Sequence, residues 1–75
     1  MAEKKVVIEE RYITKIDEAS NTVTYVGKAL PGSGDSDSVW QIKKIDETTG
    51  ILILFAGGST SYVNRWDQRT ILVYS

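Results

Sequence analysis

Two aspartates spaced two apart, Asp35 and Asp37, lie in the stretch Gly32-Ser33-Gly34-Asp35-Ser36-Asp37-Ser38 and are the first residues whose type and spacing suggest chemistry. Alternating acids on a short polar loop supply the oxygen ligands that a calcium ion takes. This stretch lacks the later bidentate Glu and the fixed Gly of such a loop, and an exposed loop kept soluble by its acids accounts for it without a metal. Trp40 and the run Trp66-Asp67-Gln68-Arg69 would make a sugar-binding face, an aromatic platform beside polar forks. In so small a domain both indoles are better used as core, each N–H finding one partner; Asp67 and Arg69 would then close a turn as a local ion pair. The basic pairs Lys4-Lys5 and Lys43-Lys44, with Tyr12, Tyr25 and Tyr62, resemble the makings of a single-strand-binding barrel. Glu9, Glu10, Asp46 and Glu47 adjoin them and cancel the field. Catalysis has the least support: there is no His or Cys, and no Ser sits in a nucleophile elbow. Gly57-Gly58-Ser59-Thr60 lacks the lysine and spacing of a phosphate loop. No enzymatic activity, cofactor or metal is expected.

Composition narrows the classes further. Seventy-five residues make a single domain, residues 1–75. A core of this size contributes only ~3–5 kcal/mol unless a disulfide, metal or partner adds to it. Without Cys there is no disulfide and no thiolate metal site, and without His only carboxylates remain as metal ligands, so association with other chains is the expected support. Nine basic against ten acidic residues give a net charge of −1, a poor match to the basic footprint of a nucleic-acid binder. No apolar run approaches the ~20 residues of a membrane span, and Val6-Val7-Ile8 is too short for a signal-peptide core. The expected setting is the cytoplasm or a particle assembled there.

The elements that must position these residues read as strands. Val39–Phe55, VWQIKKIDETTGILILF, is two strands joined by a tight turn. The second, Ile51-Leu52-Ile53-Leu54-Phe55, is apolar on both parities and too closely bounded by Thr49-Gly50 and Gly57-Gly58 for a helix. Something must therefore cover both of its faces. Further strands are expected at Val6–Ile16, with a bulge near Glu9-Glu10, and at Thr22–Lys28, Thr60–Trp66 and Thr70–Tyr74. Ala29–Ser38 is a long polar loop opened by the turn signal Leu30-Pro31-Gly32, and nothing in it can bury itself. The turns after Ile16 and Ile45 echo each other, Asp-Glu-Ala-Ser-Asn against Asp-Glu-Thr-Thr-Gly, and are expected to share one geometry closed by a left-handed residue. The fold class is all-β, a small antiparallel barrel or sandwich of about five to six strands. Its expected core is Trp40, Ile53, Phe55 and Trp66.

One series of residues carries a resemblance. Tyr25-Val26-Gly27-Lys28-Ala29-Leu30-Pro31-Gly32-Ser33 is followed by Val39-Trp40-Gln41-Ile42-Lys43-Lys44-Ile45, then Phe55-Ala56-Gly57-Gly58, Trp66-Asp67-Gln68-Arg69 and Tyr74. It resembles the small all-β virion proteins of tailed bacteriophages, the head decoration and neck or tail accessory subunits, over Val23–Tyr74. The resemblance implies a non-enzymatic structural component of a virion that docks in many copies on the capsid or the neck or tail lattice. Its partners would be other virion proteins and copies of itself. The residues agree in kind, since a neutral β domain with a small core gains stability from a lattice. The alternative is a small β-barrel that binds nucleic acid or carbohydrate. Docking is expected through Val6, Val7 and Ile8, which have apolar residues on both parities, and through Leu30 and Pro31, an apolar residue on a stiffened loop.

Overall fold

A computed structural model of the chain describes residues 11–75. Four antiparallel strands form one sheet: β1 (Ile13–Glu18), β2 (Val23–Ala29), β3 (Gln41–Asp46) and β4 (Leu52–Phe55). Each pairs with the next in sequence, so the sheet is a meander of order β1-β2-β3-β4. The only helical element among the described residues is a single 3₁₀ turn at Trp66–Gln68. The protein is all-β. Strands of β-branched and aromatic residues with polar turns between them produce this pattern, because such side chains fit a pleated, half-buried surface.

The last two expected strands do not form. Thr60–Trp66 contributes one bridge, Asn64 to Trp40, and Thr70–Tyr74 contributes another, Tyr74 to Ala56. Between them the chain crosses one face of the sheet, where Trp66 and Leu72 pack, and residues 73–75 then return to the outer edge beside β4, with Gly57 N donating to Val73 O at 2.7 Å. That face is set by the register Ile13–Ala29, Lys15–Gly27 and Asp17–Tyr25, continued by Gly27–Ile42 and Tyr25–Lys44. Tyr25, Ala29, Trp40, Ile42, Ala56 and Trp66 form the buried cluster there, with Ile13, Val23, Leu72 and Tyr74 packed on its rim.

Trp66 is the central plug. Its ring lies over Gly27, where a Cβ would stand 2.5 Å from Trp66 Cζ3 and 3.1 Å from Trp40 Cε3. The two indoles meet at 5.8 Å between centroids with a tilt of 38°. Arg69 clamps the plug: its Cζ lies 4.6 Å from the Trp66 ring centroid, and its guanidinium donates to Trp66 O at 3.1 Å and to Asp17 Oδ2 at 2.8 Å. Asp67 pairs with Arg65 through two bonds of 3.1 and 3.0 Å, so the expected Asp67–Arg69 pair is replaced by two pairs with different partners.

Ile53 departs from its expected core position. Phe55 pairs with Lys43 and Ile53 with Ile45, which puts both on the opposite face from Ile42, Leu54 and Ala56. The C-terminal crossing covers only the latter face, so Ile53 is 51% exposed and Phe55 half-buried. Leu52, although on the covered side of the alternation, lies at the sheet's outer strand and is also exposed. A strand apolar on both parities is thus an edge strand with one uncovered face rather than a central one.

The turns after β1 and β3 differ despite their similar sequences. Gly50 has φ +118°, whereas no residue other than glycine has positive φ among the described residues, so Asn21 does not close its turn in the left-handed region. The first turn is held instead by Ser20 Oγ, which accepts from Val23 N at 3.1 Å. In the second, Asp46 Oδ1 accepts from Thr48 N at 2.9 Å and Thr48 Oγ1 at 2.6 Å. These bonds favour the ionised form and hold the Asp46 carboxyl below its ordinary pKa. Nothing lies within 4 Å of a Cβ built on Gly50, so backbone strain alone opposes substitution there. Gly50→Val is expected to destabilise by about 1 kcal/mol or more, because a β-branched residue is disfavoured at positive φ. Urea denaturation with an unchanged midpoint would contradict that conformation.

Candidate functional site

Side-chain alternation places one ladder of residues on the face that the C-terminal crossing leaves open. Three rows run across it. At one end Thr14, Lys28 and Gln41 lie side by side, then Ile16, Val26, Lys43 and Phe55, then Glu18, Thr24, Ile45 and Ile53. The middle and last rows carry the apolar surface: Ile16 is 65% exposed and Ile53 half exposed, with Val26, Ile45 and Phe55 partly covered between them.

Beyond the polar row lies a groove of ≈ 270 Å³ lined by Tyr12, Leu30, Ser33, Val39 and Tyr62. Tyr12 and Leu30 continue the alternation of the open face past Thr14 and Lys28. Tyr62 reaches the same end because Thr60 O accepts from Gln41 Nε2 at 2.8 Å. The two tyrosine rings stack at 5.3 Å with an interplanar angle of 19°, and Lys28 Nζ sits 5.3 Å from the Tyr12 centroid. The open side is therefore two apolar zones separated by one polar row.

The expected docking residues divide accordingly. Leu30 is 58% exposed and lines the groove, and Pro31 is exposed in the turn beside it. Val6, Val7 and Ile8 lie outside the described residues. The alternation of Ile16, Val26, Ile45 and Phe55 was present in the sequence, but it becomes a face only when the register and the side taken by Trp66 are known. Tyr12 and Tyr62 were two of the three tyrosines grouped in the sequence as stacking residues; residues 60–62 bring these two rings together, whereas Tyr25 is buried in the core.

The acidic loop is tied to its own chain. Trp40 Nε1 donates to Gly34 O at 2.9 Å, Asp67 N to Asp35 O at 3.0 Å, and Gly34 N to Asp37 Oδ2 at 2.7 Å. Lys15 Nζ pairs with the Asp35 carboxylate. Asp35 and Asp37 thus face different protein partners, and no group of His, Cys, Asp or Glu suited to a metal occurs among the described residues. Trp40 is fully buried and Trp66 is 5% exposed, so neither offers a flat face to a sugar. The basic residues are split between the faces. Lys43 lies on the open side, while Lys44 lies on the covered side with its Nζ 5.9 Å from the Tyr74 centroid. No helix among the described residues is long and apolar enough to cross a membrane.

Among the described residues Tyr74 is the one strongly shifted titratable group. Burial, and then the neighbouring Tyr25, push its phenol from 10.0 to about 12. Its hydroxyl donates to Arg69 O at 2.7 Å, tying the chain end to the Trp66 clamp. An unfolded tyrosine releases its proton near 10 and the folded one near 12, so the stability this shift represents is present below pH ~10 and lost as pH rises to about 12. Denaturant midpoints stepped through that window should fall, and Tyr74→Phe should flatten the fall. An equal slope in both proteins would assign the alkaline loss to other groups.

Comparison of the chain with family models, with characterised proteins and with solved structures finds no match.

Proposed function

We propose that the chain is a non-enzymatic structural subunit of a tailed-phage particle, docking in many copies on the capsid or the neck or tail lattice through its open sheet face. The observation that carries this reading is the open face itself: a sheet whose second side presents Ile16, Val26, Ile45, Ile53 and Phe55 within a 75-residue chain. Contiguous apolar surface of this kind marks protein contact sites. Each copy buries a modest area, and multivalent attachment to a lattice turns modest contacts into stable incorporation. The resemblance of Val23–Tyr74 to small virion proteins supplies the particle, and Leu30 in the groove places one expected docking residue at the end of the same face.

Mass spectrometry of purified phage particles carrying this gene tests the proposal. The chain should be present at a copy number matching a lattice symmetry, and Ile16→Glu should leave the fold intact while lowering incorporation. Absence from particles sinks the reading. A binding module is the second reading, favoured by the Tyr12–Tyr62 stack, since stacked rings beside a lysine suit a sugar or a base. Glycan-array or oligonucleotide binding lost on Tyr62→Ala would favour it.

A further inference from the structure

The two edges of the sheet are built differently. β1 carries Lys15, Asp17 and Glu18, and the first two are fixed in ion pairs with Asp35 and Arg69. Charged residues on an edge strand discourage pairing with another chain. β4 has none: Leu52, Ile53, Leu54 and Phe55, with Ile51 just before them, follow one another without a charge, a proline or a bulge. Ile51 is 75% exposed and Leu52 56%.

Backbone direction sharpens the contrast. Ala56 N donates to Ile42 O at 2.9 Å, so Ala56, Leu54 and Leu52 turn their amides toward β3. Phe55 turns the other way and exchanges both backbone bonds with Ser75, at 3.2 and 3.1 Å. Alternation then directs the N–H and C=O groups of Ile53 and Ile51 to the same outer side. Among the described residues no backbone partner meets them there.

We propose that this outer edge of β4 pairs antiparallel with β4 of a second copy of the chain, joining two sheets into one of eight strands. The partner is a second copy because the strand is self-complementary. A two-fold axis beside Leu52 sets Ile51 opposite the other copy's Ile53 twice over, apolar against apolar. The register that would centre on Ile53 is blocked, since it requires the outer groups of Phe55, which Ser75 already occupies. An axis normal to the sheet keeps both open faces on the same side. The apolar rows ending in Ile53 and Phe55 therefore meet at the middle of the joined sheet and form one continuous surface. This deepens the docking reading above and rests on it for what that surface then contacts. The strand contact alone is smaller than the ~800 Å² per partner of a standard stable interface, so the dimer is reversible and concentration-dependent.

The chain has no cysteine, which permits a clean test. Across the two-fold the Leu52 pair is of the non-hydrogen-bonded type, with Cα atoms ~4.5 Å apart, within disulfide range. Full-length Leu52→Cys should therefore form a disulfide-linked dimer under mild oxidation, and Ile51→Cys should form far less. Sedimentation of the unmodified chain should show a mass rising with concentration from 8.4 kDa toward twice that value. Ile53→Pro removes an N–H that points outward and is unused within the sheet, so it should keep the fold by circular dichroism and stay monomeric. A chain that remains monomeric at its highest soluble concentration, with the Leu52→Cys thiol free, overturns the proposal. Equal cross-linking at both positions overturns the register. A dimer with this register from a chain absent from phage particles leaves the pairing standing and removes only the virion reading.

Discussion

Gly27→Ala is expected to destabilise the protein by about 1–3 kcal/mol, the usual cost of adding a methyl to a filled core, and Gly27→Val by more. The reason is local and directional. A Cβ at this position points at the face of Trp66, with Cζ3 2.5 Å away, and Trp40 Cε3 at 3.1 Å closes the route of retreat. The Trp66 ring cannot simply lift, because Arg69 holds its other side and is itself fixed to Asp17 of β1. Relief would require the whole 3₁₀ turn to move away from the sheet. Chemical denaturation measures the loss. In a Trp66→Leu background, where a smaller side chain fills the site, the same substitution should cost less, because the obstructing ring is gone, and such non-additivity is the mark of residues in contact. Fully additive effects would show that Gly27 acts through something other than this contact.

The largest loss is expected from the indoles. Trp40→Ala and Trp66→Ala should each cost on the order of 3–5 kcal/mol, the range for removing a large buried aromatic. A domain of this size holds about that much in total, so either variant should be largely unfolded at 25 °C. Trp40 is fully buried and its Nε1 also anchors the acidic loop through Gly34 O. Trp66 joins the C-terminal crossing to the sheet through Gly27, Trp40 and Arg69. Thermal melts and near-ultraviolet circular dichroism test both. Variants that fold normally but lose a ligand would turn the indoles from core into a binding platform and favour the carbohydrate reading.

By itself the sequence determined the strand-forming segments and the turns between them. β-branched and aromatic runs at Val23–Ala29 and Gln41–Asp46, broken by Asp, Asn, Gly and Pro, can satisfy their backbone only by pairing with neighbours, and short polar turns make those neighbours antiparallel. It also determined that two tryptophans in a chain of this size would be buried. What it left undecided was which side of the sheet they would take. Alternation labels two faces but does not say which one the chain will cover. Ile51–Phe55 is equally apolar on both, so periodicity alone could not separate Ile53 from Ala56. Residues 60–75 read as strands for the same reason: Thr60-Ser61-Tyr62-Val63 and Ile71-Leu72-Val73-Tyr74 have the composition of a ladder. The tertiary structure decided otherwise because one glycine, Gly27, opens a site in the sheet wide enough for an indole, and a guanidinium three residues after Trp66 closes over it. Filling that site leaves the indole only 5% exposed, and with Trp66 seated the chain around it crosses the face rather than extending the sheet. The same choice leaves Ile16, Val26, Ile45, Ile53 and Phe55 on the open side. The surface proposed for docking is therefore a consequence of long-range packing, which no local pattern encodes.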